Sequence, residues 1–396
     1  MSIPQKHLDE LQKLLGKVQE AAVDEVFIYG VTSRTGRTLR QRIDDFLIDR
    51  SSVPIAEKAY FFQLLATMIH AGIPLLRSLK ILLVKTENRR LKRIIATLGH
   101  DIEHGASFSD ALNRFPEIFS DSQRGVLRSA EATGSLEQTL YKIADNLERQ
   151  QGLQSKLTAA LLYPVTVFIA LIVSVGIILT FVVPRMQELF NENTIEMPPI
   201  TRFFLTISLW LTTNWWLFLI LTIFAVIGFH FYVSSPEGRF SWDFHKLRIP
   251  FVGKLLRTIY VLRFVESLGL LIESGLPINR ALEYVSQSIG NEVYKVKTYE
   301  ALANVQTGSP LSATLATAPF LFPETVTNML AVAEQSASLG DISIKVGRHY
   351  QHEVDDTLKR MTTLLGPILI LVIGSAVAFF AIAILSPIFS LTTSIT

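Results

Sequence analysis

His100-Asp101-Ile102-Glu103-His104 is the stretch whose residue types and spacing most resemble a catalytic pattern. Two histidines at i and i+4 share a helix face, and the order matches the H-x-x-E-H arrangement in which imidazoles hold a zinc ion and the carboxylate moves a proton. Two observations oppose that use. The counterpart 203 residues later, Ala303-Asn304-Val305-Gln306-Thr307, retains no ligand, and the sequence contains no cysteine and no obvious third-ligand motif. The stretch therefore reads as a solvated helix face. His349 and His352 with Glu353 read as a juxtamembrane polar face. Gly36-Arg37-Thr38 lacks the first glycine and the lysine of a phosphate loop and reads as a turn. No G-x-x-x-x-G-K-[ST], G-x-S-x-G or S-x-x-K occurs, so no ATP loop or activated nucleophile is expected. Glu131 and Glu334 each precede a small-residue helix break, AEATGSL and AEQSASL. A carboxylate there could cap a neighbouring helix or face a partner; a structural role is favoured over catalysis. The expectation is a protein without catalytic residues, metal or cofactor.

The elements around these residues belong partly to a membrane. The chain has 396 residues, 49% of them hydrophobic, yet 37 basic and 35 acidic residues need water. Mean hydropathy is +0.35. A net charge of +2 gives no basic face for direct nucleic-acid binding. The N-terminal MSIPQKHLDELQKLL has neither an apolar core nor a cleavage site, so no removable signal peptide is expected. Three uncharged runs stand out: 157–184 between Lys156 and Arg185, 203–236, and 361–387 after Lys359 and Arg360. Each exceeds the roughly 20 apolar residues that a helix needs to span a bilayer. Trp210, Trp215, Trp216 and Tyr232 suit span ends. Among the spans only His230 is ionisable, which disfavours an ion or solute carrier. Thr166, Ser174 and Thr180 suit helix contacts, as do the small residues Gly374, Ser375, Ala376 and Ala378.

Along the chain, Leu8, Leu11, Leu15 and Val18 mark an amphipathic helix over 6–22, and VFIYGVTS at 26–33 has the character of a short strand. From Ile55 onward the pattern is helical. Helices are predicted to about 70 and at about 75–86, 89–104, 107–114, 120–132 and 136–156, with breaks at Gly72-Ile73-Pro74, Gly105, Phe115-Pro116 and Thr133-Gly134-Ser135. The last of them is expected to run directly into the first span, with Tyr163-Pro164 as the place to look for bending.

At a fixed offset of 203 the two halves align without a gap. Phe61 pairs with Phe264, Gly72 with Gly275, Pro74 with Pro277, Gly105 with Gly308, Pro116 with Pro319, Phe119 with Phe322, Glu131 with Glu334, Lys156 with Lys359, Pro164 with Pro367 and Pro184 with Pro387. The matches fall on glycines, prolines and apolar positions, so a fold unit is repeated: a helical bundle followed by one span. Two such units lie parallel only if an odd number of crossings separates them, and the unmatched run 203–236 supplies one. Lysine and arginine cluster on one side of the spans, with Arg185 and Arg202 alone on the other; by the positive-inside rule the bundles are cytoplasmic. The expected fold class is an all-α membrane protein with two homologous cytoplasmic antiparallel helical bundles and three transmembrane helices, in tandem parallel repeat. The divisions are an N-terminal segment of unclear role at 1–54, a first bundle at 55–156, a span at 157–184 and an external loop at 185–202. A second span at 203–236, a basic linker at 237–259, a second bundle at 260–360, a third span at 361–387 and an external tail at 388–396 follow.

The AGIPL and SGLPI breaks, the matched breaks at Gly105 and Gly308, the turn from Glu131 to Leu136 and the KLTAALLYP entry to the first span resemble the bacterial type II secretion protein F family. This family comprises inner-membrane platform proteins of type II secretion systems and type IV pili, and the resemblance covers about 55–390. It implies two six-helix cytoplasmic domains, three spans, self-association and no active site. It further implies a platform through which a hexameric assembly ATPase acts on pilin or pseudopilin subunits, beside other inner-membrane assembly proteins. The motif positions carried over, as structural or partner-binding residues, are Gly72, Pro74, Gly105, Glu131, Gly134, Tyr163, Pro164, Gly275, Pro277, Gly308, Glu334 and Pro367. Two departures stand out: Ala337 occupies a position where glycine is usual, and Gly366 precedes Pro367 where many members carry an acid. If that acid grips a pilin, this chain does so otherwise. The expected mechanism is transmission of bundle movement through the segments from Leu136 to Pro184 and from Gly340 to Pro387.

Overall fold

The structure, a computed structural model, describes residues 27–29, 39–182, 213–250 and 252–395, with isolated positions between 202 and 210. The expected helix at 6–22, the turn at 34–38 and the loop at 185–202 lie outside the described residues, apart from Arg202. Ordered along the chain, the helices are α1 (Leu39–Arg50), α2 (Ile55–His70), α3 (Leu75–Lys85), α4 (Arg89–Glu103), α5 (Phe108–Leu112), α6 (Asp121–Thr133) and α7 (Leu136–Ile177). There follow α8 (Trp215–Ser234), α9 (Pro236–Arg248), α10 (Val252–Glu273), α11 (Ile278–Ser288), α12 (Glu292–Gln306), α13 (Leu311–Ala316), α14 (Glu324–Gln335) and α15 (Leu339–Ile395). The series α2 to α7 recurs as α10 to α15. No strand occurs among the described residues.

Local chemistry sets these boundaries. Pro54, Pro74, Pro277 and Pro323 stand immediately before α2, α3, α11 and α14, where a fixed φ favours helix entry and a missing N–H costs nothing. Asn88 and Asn291 cap α4 and α12 with side-chain oxygens that accept from Leu91 N at 3.0 Å and from Val293 N at 3.0 Å. Ser120 and Gln123 form a reciprocal capping box at the start of α6.

One compact unit takes the chain up to Gln154 and again from Ile259 to Tyr350; the second takes 155–258 and 351–396. In the first unit each repeat has an aromatic core. Phe61, Phe62 and Phe119 are buried, with ring centroids 5.2 Å apart for Phe61–Phe62 and 5.8 Å for Phe62–Phe119. Phe264, Tyr294 and Phe322 do the same in the second repeat, at 5.0 Å for Phe264–Phe322 and 5.4 Å for Tyr294–Phe322. The buried Tyr294 hydroxyl donates to Leu321 O at 2.9 Å, which satisfies it inside the core.

Of the strand expected at 26–33, residues 27–29 are described and form a coil and turn instead; the others lie outside the described residues. Alternating aromatics there serve as a plug rather than a sheet. Phe27 is buried beneath the Arg93 guanidinium, and the Tyr29 ring meets Phe115 edge-on at 5.6 Å. Tyr29 N donates to Thr97 Oγ1 at 3.0 Å, and Arg114 Nη2 donates to Tyr29 O at 2.7 Å, so side chains satisfy the backbone that a sheet would otherwise have paired.

The second unit holds the apolar lengths. Two helices, Leu136–Ile177 and Leu339–Ile382, are long and apolar enough to cross a membrane. A third crossing arises if the bent pair Leu219–Ser234 and Pro236–Arg248, kinked by 100°, counts as one span. α7 runs unbroken through Pro164 and ends in a π-helical stretch, Ile178–Val182. α15 runs through Pro367 and Pro387 to Ile395. The stretch expected as a basic linker is largely helical, being α9 and the first turns of α10.

Candidate functional surface

Glu131, near the C-terminus of α6, points its carboxylate at the N-terminus of α5. Oε1 accepts from Phe108 N at 2.6 Å and Oε2 from Ser109 N at 2.9 Å. Glu334 repeats the arrangement on α13, accepting from Leu311 N at 2.5 Å and Ser312 N at 3.0 Å, and from the Ser312 hydroxyl. Helices of five and six residues cannot satisfy their own first amides. A negative charge at that end also complements the helix dipole. Each glutamate thus fastens a one-turn helix to its bundle.

The small-residue turn behind each glutamate differs between repeats. Gly134 has φ +70°, and Ala337 takes the equivalent left-handed conformation at φ +50°. Ser135 N and Ser338 N then close the turn on Ala130 O at 2.9 Å and Ala333 O at 3.0 Å. A Cβ costs roughly 1–2 kcal/mol in that region, so the second turn is strained where the first is relaxed. The other motif positions lie at helix boundaries: Gly72 and Gly275 follow α2 and α10, Pro74 and Pro277 precede α3 and α11, and Gly105 and Gly308 follow α4 and α12. Tyr163 is 59% exposed on α7 beside Pro164. Pro367 lies within α15.

The two repeats meet inside the first unit. α6 packs on α11, and the absence of a side chain at Gly125 makes room for the Tyr284 ring, which a methyl at 125 would overlap. Ser129 Oγ donates to Ser274 O at 3.3 Å. On α7, Lys142 pairs with Glu273 at 3.2 Å, and Arg149 Nε lies 3.5 Å from Glu266 Oε1. These charges line a cleft of about 240 Å³ shared with Asp341, Lys345 and Arg348. Burial raises the Glu266 carboxyl above the usual value, against the opposing pull of Arg149. α10 is held to α15 by close approach: a methyl on Gly340 or Gly347 would sit 3.0 Å from the Cγ of Glu273 or Glu266. A second cleft holds Lys58, whose amine donates to Ile118 O at 3.2 Å and whose pKa burial lowers.

In the second unit, Lys156 Nζ donates to both carboxylate oxygens of Asp355, at 2.7 and 2.8 Å. This pair ties α7 to α15 where their apolar runs begin. Sequence reading did not find it, nor the anchoring of α1. Arg93 reaches Asp45 at 2.6 Å and Asp49 at 3.2 Å, and Tyr29 OH donates to Asp49 Oδ1 at 2.6 Å. Burial and that hydrogen bond push the Tyr29 hydroxyl up to about 12. The available signal was the i, i+4 spacing of Asp45 with Asp49 opposite Arg89 with Arg93.

The histidine pattern on α4 is turned to other partners. Glu103 accepts from Lys80 Nζ at 3.0 Å, and His104 Nδ1 lies 2.7 Å from His100 O. Lys80 accordingly holds the Glu103 carboxyl below its usual range. His349 stacks edge-on to Tyr350, and both His349 and His352 are exposed. Among the described residues no group of three or more His, Cys, Asp or Glu could hold a metal ion.

Comparison with known proteins returns a double match. Residues 61–184 and 264–387 each match the family model described as Type II secretion system (T2SS), protein F. The chain is 34% identical over 337 residues to the type IV pilus assembly protein PilC of Thermus thermophilus, covering 85% of this chain and 83% of that one. It is 31% identical to the PilC of Pseudomonas aeruginosa, covering 84% of this chain and 89% of the relative. The type II secretion system protein F of P. aeruginosa is 29% identical, covering 83% and 80%.

Proposed function

The chain belongs to the type II secretion system protein F family, and on that premise we propose that it is the inner-membrane platform of a type IV pilus or type II secretion assembly machine. In this reading it couples a cytoplasmic hexameric assembly ATPase to the polymerisation of pilin or pseudopilin subunits, alongside other inner-membrane proteins of the machine. It crosses the membrane three times, with N-terminus and both bundles cytoplasmic and the C-terminus external; the middle span is the uncharged run 203–236, which contains α8 and ends where α9 begins. Support for that orientation comes from α9, which leaves α8 through a 100° bend and ends in His245, Lys246 and Arg248.

The observation that carries the proposal is the uninterrupted helix. α7 and α15 each start among packed bundle residues such as Leu140 and Val346 and continue as helix into an apolar run, past Pro164 in α7 and Pro367 in α15, where the ring removes one ladder hydrogen bond. Helical continuity across that junction gives a tilt or rotation at one end a covalent path to the other. The platform itself needs no chemistry; ATP turnover belongs to the ATPase and subunit stacking to the pilin. Deleting the gene in the source bacterium is expected to abolish surface filaments or secretion while leaving pilin leader processing intact. Filaments or secretion at normal levels in the deletion strain would refute the reading.

A further inference from the structure

We propose that the chain self-associates by repeating between protomers the contact it makes between its own repeats. The α14 face bearing Asn328, Met329 and Val332 of one protomer seats on the face of α2 and α3 bearing Ala71, Ile81 and Val84 of a second copy.

The in-chain contact is heterologous. α6 of the first repeat packs on α11 of the second, with Gly125 against Tyr284 and Ser129 against Ser274. A self-complementary contact would also place α14, the counterpart of α6, on α3, the counterpart of α11. No comparable packing appears among the described residues. Val332 is 59% exposed, Met329 40% and Val84 41%. Each repeat therefore uses one half of a two-sided contact, and the halves left over complement each other.

Side-chain chemistry follows the substitution pattern. At the offset of 203, Gly125 and Tyr284 become Asn328 and Ile81, so a side chain gained on one face offsets a ring lost on the other. Ser129 and Ser274 become Val332 and Ala71, replacing a hydrogen bond by an apolar pair. What points to association is that these surface residues stand at positions whose counterparts, 203 residues away, form the built contact between the two repeats. The inference rests on the proposed topology in one respect: if both bundles feed spans that cross in the same direction, the operation relating them keeps every bundle on one membrane face when it recurs between chains.

The absence of cysteine makes the test clean. Two differently tagged full-length chains, one Val332→Cys and the other Ala71→Cys, are co-expressed and oxidised in membranes. A mixed disulfide carrying both tags is expected. No mixed product, homotypic products alone, or cross-linking of the Val332→Cys chain to a different protein would overturn the proposal. Val332→Arg is exposed and leaves the core intact; it should raise the dissociation constant of the purified full chain about tenfold or more, read as a fall in native mass with dilution. An unchanged native mass would equally overturn it. Neither readout needs the ATPase or a pilin, so they fail independently of the platform reading.

Discussion

Glu131 and Glu334 act on structure, each carboxylate accepting the first amides of a one-turn helix and placing a negative charge at its N-terminus. Replacing either by alanine leaves two amides of a one-turn helix without an acceptor, a cost of about 1–3 kcal/mol. Thermal unfolding of purified Glu131→Ala should register that loss, and Glu131→Gln, which keeps one acceptor, should lose less. Ala337→Gly runs the other way: relieving φ +50° is expected to stabilise by about 1 kcal/mol, and an unchanged or lower melting temperature would show the turn to be unstrained. Glu266 supplies a pH dependence. Its folded pKa lies above the unfolded value, so the stability it contributes is complete below about pH 4.5 and is lost as pH rises through the raised folded value. Glu266→Gln should therefore raise the melting temperature at pH 8 relative to the parent and change it little at pH 4. Equal effects at both would place the carboxylate in water.

At the scale of elements, the helix boundaries were legible because glycine, proline and capping residues act locally. Breaks expected at Gly72-Ile73-Pro74, Gly105, Pro116 and Gly134 fall between α2 and α7 as found, and the second repeat follows the same punctuation. Residues 27–29 misled because Phe27 and Tyr29 alternate as in a strand, while their partners Arg93, Thr97 and Phe115 lie far along the chain. Periodicity cannot report such distant pairing. The same blindness hid Lys156 with Asp355, since the register between helices is set by packing and not by spacing. Lys156 and Asp355 are half exposed and one-quarter exposed, so their pairing should be worth about 0.2–1 kcal/mol. A double-mutant cycle of Lys156→Ala and Asp355→Ala should recover that coupling; additive effects would mean that the two rods are tied elsewhere.

For the whole molecule, the repeat explains both what is shared and what is not. Each bundle ends in its own long helix, and both matches to the family begin at a core phenylalanine and end at a proline of an apolar run. Mechanical coupling is the central claim, and the segment of α7 between the buried Leu147 and the apolar run is where it is open to attack. The decisive measurement inserts four glycines after Gln151 and follows two readouts in the same cells: co-isolation of the assembly ATPase with the platform, and filament assembly or secretion. The account predicts that the ATPase stays bound while assembly is lost. Assembly at parental levels with the glycines in place would contradict it.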